Sequence, residues 1–170
     1  LPNGAYRMLM TSNHDENSWN DTAVDRWGPM LDAATVLSFT LPGMPLIYNG
    51  QEVAMTQQLE FFEKDAIDWG DDIAGHPASQ LYTRLIRLKR EHPALRQRPG
   101  VRPMFKQPTS ADHAVFAFRR QAGRQTVRVA VNCTDRPVEF DFGRGTFEVE
   151  LEPFGWAMWV DGKRWEAPRP

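Results

Sequence analysis

The sequence predicts two fold classes in series, α/β and then all-β: units of a (β/α) barrel followed by an antiparallel β-sandwich. Three observations predict it. A short apolar run over residues 6–11 breaks into a polar tip, Ser12-Asn13-His14-Asp15-Glu16-Asn17-Ser18-Trp19. A second run over 45–48 breaks in the same way into Asn49-Gly50-Gln51-Glu52, with a helical pattern between the two. Strand, polar tip, helix, strand, polar tip is the repeat of a barrel whose site lies at the C-terminal strand ends. Beyond residue 100 the apolar period switches from that of a helix to two. A stretch of Arg, Pro and Gly at 96–100 separates the textures, giving expected domains of 1–96 and 97–170.

Taken in order, residues 6–11 read as a buried strand. Pro29 then suits the first turn of a helix, where its missing N–H costs nothing. Met30, Leu31, Ala34, Leu37, Ser38 and Leu41 follow at spacings of three and four, giving one apolar face, and Pro42-Gly43 stops the helix. The connection from 51 to 77 is long, and such loops in compact domains are usually functional. A second helix is expected over 78–91, with Leu81, Leu85 and Leu88 in line and His92-Pro93 closing it. Its Arg84, Arg87, Lys89 and Arg90 read as a solvated face.

In the second half, residues 113–118 and Val127, Val129 and Val131 frame a hairpin through Gln121-Ala122-Gly123-Arg124. Val138, Phe140 and Phe142, then Phe147, Val149 and Leu151, alternate with acidic residues. Trp156, Met158 and Val160 finish the series. Alternation with Gly and Pro turns indicates an antiparallel sheet or small sandwich with one face buried. Phe116, Phe118, Phe140 and Phe142 fall at core positions of that pattern.

Composition excludes several classes. A net charge of -2 over 170 residues, with no basic run, favours no nucleic-acid partner. No apolar run approaches the roughly 18 residues of a membrane span. Cys133, the single cysteine, ends an apolar strand pattern and reads as a buried structural thiol. The four histidines show no metal-ligand spacing, so no metal site is expected from this chain alone.

Read alone, Asn13-His14-Asp15 is a polar turn after a strand. Its context is more specific. The stretch from Thr11 to Trp19 resembles the strand-seven motif of the α-amylase family, glycoside hydrolase family 13. Pro42-Gly43-Met44-Pro45-Leu46-Ile47-Tyr48-Asn49-Gly50-Gln51-Glu52 resembles its strand-eight motif. Phe61-Phe62-Glu63-Lys64-Asp65-Ala66-Ile67-Asp68-Trp69 is similar to the segment that follows in many bacterial members. Leu85-Ile86-Arg87-Leu88-Lys89-Arg90-Glu91-His92-Pro93-Ala94-Leu95 is similar to the final barrel helix. The β-rich remainder fits the family's C-terminal domain in position and texture only.

The resemblance implies the last two units of a (β/α)8 barrel and a retaining α-glycosidase acting on α-glucans or maltooligosaccharides. Such chemistry uses a nucleophilic Asp and an acid/base Glu roughly 5 Å apart. Both belong to earlier strands and are not in this chain. Asp15 matches the third carboxylate, which holds the 2- and 3-hydroxyls of the sugar and favours its distorted, oxocarbenium-like form. His14 matches the histidine that binds the same hydroxyls, and Asn13 fixes the turn that aims both. Consecutive residues of an extended strand point opposite ways, so His14 and Asp15 share a ligand only where the strand has bent. Trp19 is expected to line a sugar subsite. Tyr48, Phe61, Phe62 and Trp69 are expected in core or loop packing, and Glu52, Glu63, Lys64 and Asp65 in surface salt bridges.

A whole barrel needs about 250 residues, so the expectation is a C-terminal fragment, inactive alone, whose partner is the remainder of the barrel. Its start at Leu1, almost inside a strand, agrees with a fragment or processed boundary. No cofactor is expected within this chain, and calcium in the parent is left open. The compartment is unknown, with an extracellular or periplasmic site favoured by analogy. Two alternatives stand beside this: a transferase or isomerase of the same superfamily, and a non-catalytic carbohydrate-binding module.

Overall fold

The computed structural model describes residues 5–97, 101–143 and 147–165. The expected boundary segment at 96–100 therefore lies partly outside the described residues. Two short strands open the chain, β1 (Met8–Leu9) and β2 (Met44–Pro45), and they pair in parallel with Met8 opposite Met44. Between them run α1 (His14–Trp19), α2 (Ala23–Trp27), a 3-10 turn at Gly28–Met30 and α3 (Leu31–Thr40). A helical crossover of this kind is what a parallel pair requires. Gly43 makes the pairing possible. A Cβ there would lie 2.7 Å from the Arg7 carbonyl oxygen and from the Leu9 side chain.

The first strand departs from expectation. Only two residues pair, and Tyr6 and Met8 are exposed, because β1 has a neighbour on one side alone. Helix α3 departs too. Its buried residues circle the helix (Ala33, Ala34, Thr35, Val36, Ser38, Phe39, Thr40), so it is enclosed rather than one-faced. Ala33, Val36 and Phe39 enter the main core, with Leu37 and Leu41 only packed against it.

After β2 comes a 3-10 turn at Gln51–Val53, a long irregular segment, and α4 (Pro77–Glu91). His76 caps α4, with its ring Nδ1 accepting from the Ala78 N–H at 3.3 Å, and Pro77 opens the first turn. Tyr82, Leu85 and Leu88 form its buried stripe. Lys89 is not on the solvated face assigned to it. Its Nζ donates to the Phe39 carbonyl at 2.9 Å and the Leu95 carbonyl at 3.0 Å. Burial, with Arg120 nearby, lowers its pKa to about 8.

The second half is a five-stranded sheet in the order β3-β4-β5-β8-β9. Its strands are β3 (Phe105–Lys106), β4 (Val115–Ala122), β5 (Gln125–Asn132), β8 (Trp156–Val160) and β9 (Lys163–Arg164), all antiparallel to their neighbours. The β4–β5 hairpin turns through Gly123 at φ 57°, the left-handed region that favours glycine. A separate ribbon of β6 (Val138–Phe140) and β7 (Val149–Leu151) lies over one face.

Both faces of the sheet are covered, where one was expected. Phe118, Val127, Val129, Val131 and Met158 pack with α3 and α4, while Ala117, Ala130, Ala157 and Trp159 pack beneath Phe140, Val149 and Leu151 of the ribbon. Arg120 is buried at the first interface, its guanidinium donating to the Thr40 carbonyl at 3.0 Å. Cys133 is exposed rather than buried, because it sits one residue past the end of β5.

Candidate active site

The candidate residues sit where β1 ends and the chain folds into α1. Thr11 and Ser12 are still buried, and their neighbours fix them: the Trp27 indole N–H donates to the Thr11 carbonyl at 2.9 Å, and the Gln51 amide donates to the Thr11 hydroxyl. Gln51 also accepts from the Tyr48 N–H at 2.7 Å. The polar tips after β1 and β2 are thus tied together beneath the site. Burial pushes the Tyr82 phenol up, against the opposing effect of its bonds to Thr35 and Thr11.

Asn13 is the N-cap of α1. Its backbone is plainly extended (φ -149°), with no unusual angle, and its side-chain oxygen accepts from the Glu16 N–H at 2.8 Å. Its amide donates to the Met10 sulfur at 3.1 Å. The side chain is therefore committed to the turn. That cap starts a helix at His14, which is how adjacent residues come to the same side. His14 Nε2 and Asp15 Oδ1 lie 3.6 Å apart, with side chains 64% and 63% exposed. Both polar ends are open to solvent.

Trp19, at the end of α1, is 61% exposed, and it does not stand alone. Its ring centroid lies 5.2 Å from that of Phe61, which lies 5.5 Å from the His14 ring and 4.8 Å from Phe62. Phe62 is 81% exposed, so of the expected core or loop packing Phe61 and Phe62 show the loop kind, extending an aromatic wall from His14. Trp69 is exposed as well. The residue that builds the wall was missed. Buried Asn17 donates to the Gln57 carbonyl at 3.1 Å and accepts from the Leu59 N–H at 2.8 Å, pinning the loop beside α1. An Asn on a buried helix face, where a helix former is the norm, was the available signal.

The expected salt bridges of Glu52, Glu63, Lys64 and Asp65 are not present among the described residues. Asp65 instead accepts from the Glu60 and Ala66 backbone N–H groups, ordering the same loop. Among the described residues no cluster of His, Cys, Asp and Glu has the makings of a metal site. No described helix is long and apolar enough to cross a membrane.

No family model matches the chain. It is 25% identical over 150 residues to α-amylase 2 of Dictyoglomus thermophilum, a match covering 83% of this chain and 25% of that protein. Its fold superposes on a noncanonic maltogenic α-amylase, AmyB of Thermotoga neapolitana, with a TM-score of 0.68 at 17% identity, over 94% of this chain and 40% of that one. The isomaltulose synthase SmuA of Protaminobacter rubrum is similar over 92% of this chain and 43% of its own, with a TM-score of 0.64 at 18% identity. The chain is a relative of the glycoside hydrolases of the α-amylase family. Among these it resembles the bacterial α-amylases, and it spans about a quarter of the length of the curated relative above.

Proposed function

We propose that this chain is the C-terminal part of a retaining family 13 α-glycosidase, with 1–96 supplying the last two barrel units and 97–170 the C-terminal β-domain. The full-length enzyme hydrolyses α-glucosidic bonds in starch-like glucans or maltooligosaccharides. This chain supplies transition-state binding, while nucleophile and acid/base come from the preceding barrel strands, so the chain is inactive alone. The observation that carries the reading is the His14–Asp15 pair, 3.6 Å apart and exposed at the end of β1, with the adjoining tip of β2 tied below it.

The mechanism follows from charge. As the leaving group departs, positive charge grows at the anomeric carbon and ring oxygen, and the ring flattens. Asp15, accepting from the 2- and 3-hydroxyls, holds the flattened ring and places a negative charge near the forming cation. His14, whose Nε2 lies 3.6 Å from Asp15 Oδ1, grips the same hydroxyls. Both contacts strengthen as the ring distorts, which is the condition for accelerating the chemical step. Asn13 acts through the cap that aims the pair, and Trp19 with Phe61 offers flat apolar surface beside it for a neighbouring sugar face.

Replacing Asp15 by Asn in the full-length enzyme is expected to lower kcat by about 10²–10³-fold, with the melting temperature unchanged. Near-normal turnover contradicts the role. The resemblance to an isomaltulose synthase supports a second reading, in which a sugar rather than water takes up the glycosyl group. Product analysis on maltooligosaccharides separates them, since transfer gives products longer than the substrate or new linkages.

A further inference from the structure

The β-domain carries a row of side chains that the proposed reaction does not use. Strand register places Phe105, Arg119, Arg128, Trp159 and Arg164 side by side across all five strands. Arg119 and Arg128 are directly opposite one another, so they share a face, and like charges so placed destabilise a sheet. Neither has an ion pair or a hydrogen bond among the described residues, and the Nε of Arg128 is buried without a partner.

Both guanidinium groups are nonetheless held. Arg119 lies over the Phe105 ring at 4.9 Å, and Arg128 over the Phe142 ring at 4.4 Å. Stacking covers the faces of the two forks and leaves the N–H edges to donate. They border an open cavity of about 710 Å3 that also includes Arg124, Thr126 and Asp161. Asp161 is the one carboxylate of its lining among the described residues, and it already accepts from the Thr126 N–H at 2.8 Å. Beyond Arg119 a second cavity, about 320 Å3, is walled by Phe105 and Pro108.

We propose that Arg119 and Arg128, with Arg124 at the rim, form a binding site for a phosphate group, remote from the sugar pair at His14 and Asp15. Three guanidinium groups lining one cavity, with no ion pair among the described residues, suit a dianion with several acceptor oxygens, whereas a carboxylate is satisfied by a single bidentate arginine. Burial, and after it the neighbouring Arg119, lowers the pKa of Arg128. The three arginines lie within ten residues on one hairpin, and strand register brings Arg119 and Arg128 face to face. The phosphate has two sources, free inorganic phosphate or a phosphate ester on a sugar, and the apolar wall of Phe105 and Pro108 beside Arg119 has room for the latter.

Titration calorimetry on the full-length protein at fixed ionic strength tests the site with three probes: inorganic phosphate, glucose 6-phosphate and glucose. Saturable binding of a phosphate probe, weakened at least tenfold in Arg128→Met and in Arg119→Met, is the expected result. Tighter binding of the ester assigns the site to a sugar phosphate, and equal binding assigns it to the free ion. Should Arg128→Met fail to fold, exposed Arg119 carries the test alone. No saturable binding by either phosphate probe, or binding that survives in Arg119→Met, overturns the proposal.

Discussion

At the scale of single residues, Asn13 and Lys89 show how local chemistry decides position and charge. Asn13 caps α1 through the Glu16 N–H, and a lost N-cap costs about 1 kcal/mol. Asn13→Ala is expected to lower stability by that amount in urea unfolding, with Asn13→Asp recovering it. In the full-length enzyme kcat should fall with the cap, because His14 and Asp15 lose their aim. Lys89 gives a pH signature. Its folded-state pKa is lowered to about 8 from 10.5, so between those values the unfolded chain holds the proton that the folded chain has released. Stability from this group is therefore least below pH 8 and rises as pH climbs from about 8 to 10.5. Lys89→Met should flatten that rise in denaturation curves taken across the window. Were the slope unchanged in the variant, the buried position of the ammonium would be refuted.

At the scale of elements, the parallel pair β1–β2 depends on Gly43, whose absent Cβ lets the strands approach. Gly43→Ala drives a methyl against the Arg7 backbone, which cannot swing away as a side chain can. A cost of about 1–3 kcal/mol is expected, read as a shifted unfolding midpoint. Most elements were legible because their signals are local. The α4 stripe, its His-Pro stop and the Gly123 turn all depend on neighbours within a few residues. What was not legible depended on partners far along the chain. The one-faced reading of α3 failed because the sheet of the second half and α4 enclose it. Lys89 looked solvated because the carbonyls it meets belong to Phe39 and Leu95. Phe61 and Phe62 read as core or loop packing, and nothing near them announces that Asn17 pins their loop beside α1. His14 and Asp15 were legible as a motif, and the cap that makes them neighbours in space was only half visible.

At the scale of the whole molecule, one core crosses the change in sequence texture. Ala33, Val36 and Phe39 of α3 and Leu85 and Leu88 of α4 pack with Phe118, Val127, Val129 and Val131 of the sheet. Lys89 and Arg120 reinforce the seam by capping the last carbonyls of α3. Residues 97–170 expressed alone should therefore expose one whole sheet face, bind hydrophobic dyes and resist concentration. Retention of that segment on starch gel as a stable monomer would favour the binding-module alternative. The other exposed surface, Tyr6, Met8 and Met44 around β1 and β2, is where the remainder of the barrel is proposed to pack.

The central claim is that Asp15 binds the transition state better than the substrate. The most direct measurement compares, in the full-length enzyme and its Asp15→Asn variant, the affinity for a protonated imino sugar carrying the 2- and 3-hydroxyls with that for neutral maltose. The imino sugar stands in for the oxocarbenium-like ring, so the substitution is expected to weaken it by a factor of about 10² or more while maltose changes little. Equal, small losses for both ligands would contradict the account and return Asp15 to the ordinary surface of the protein.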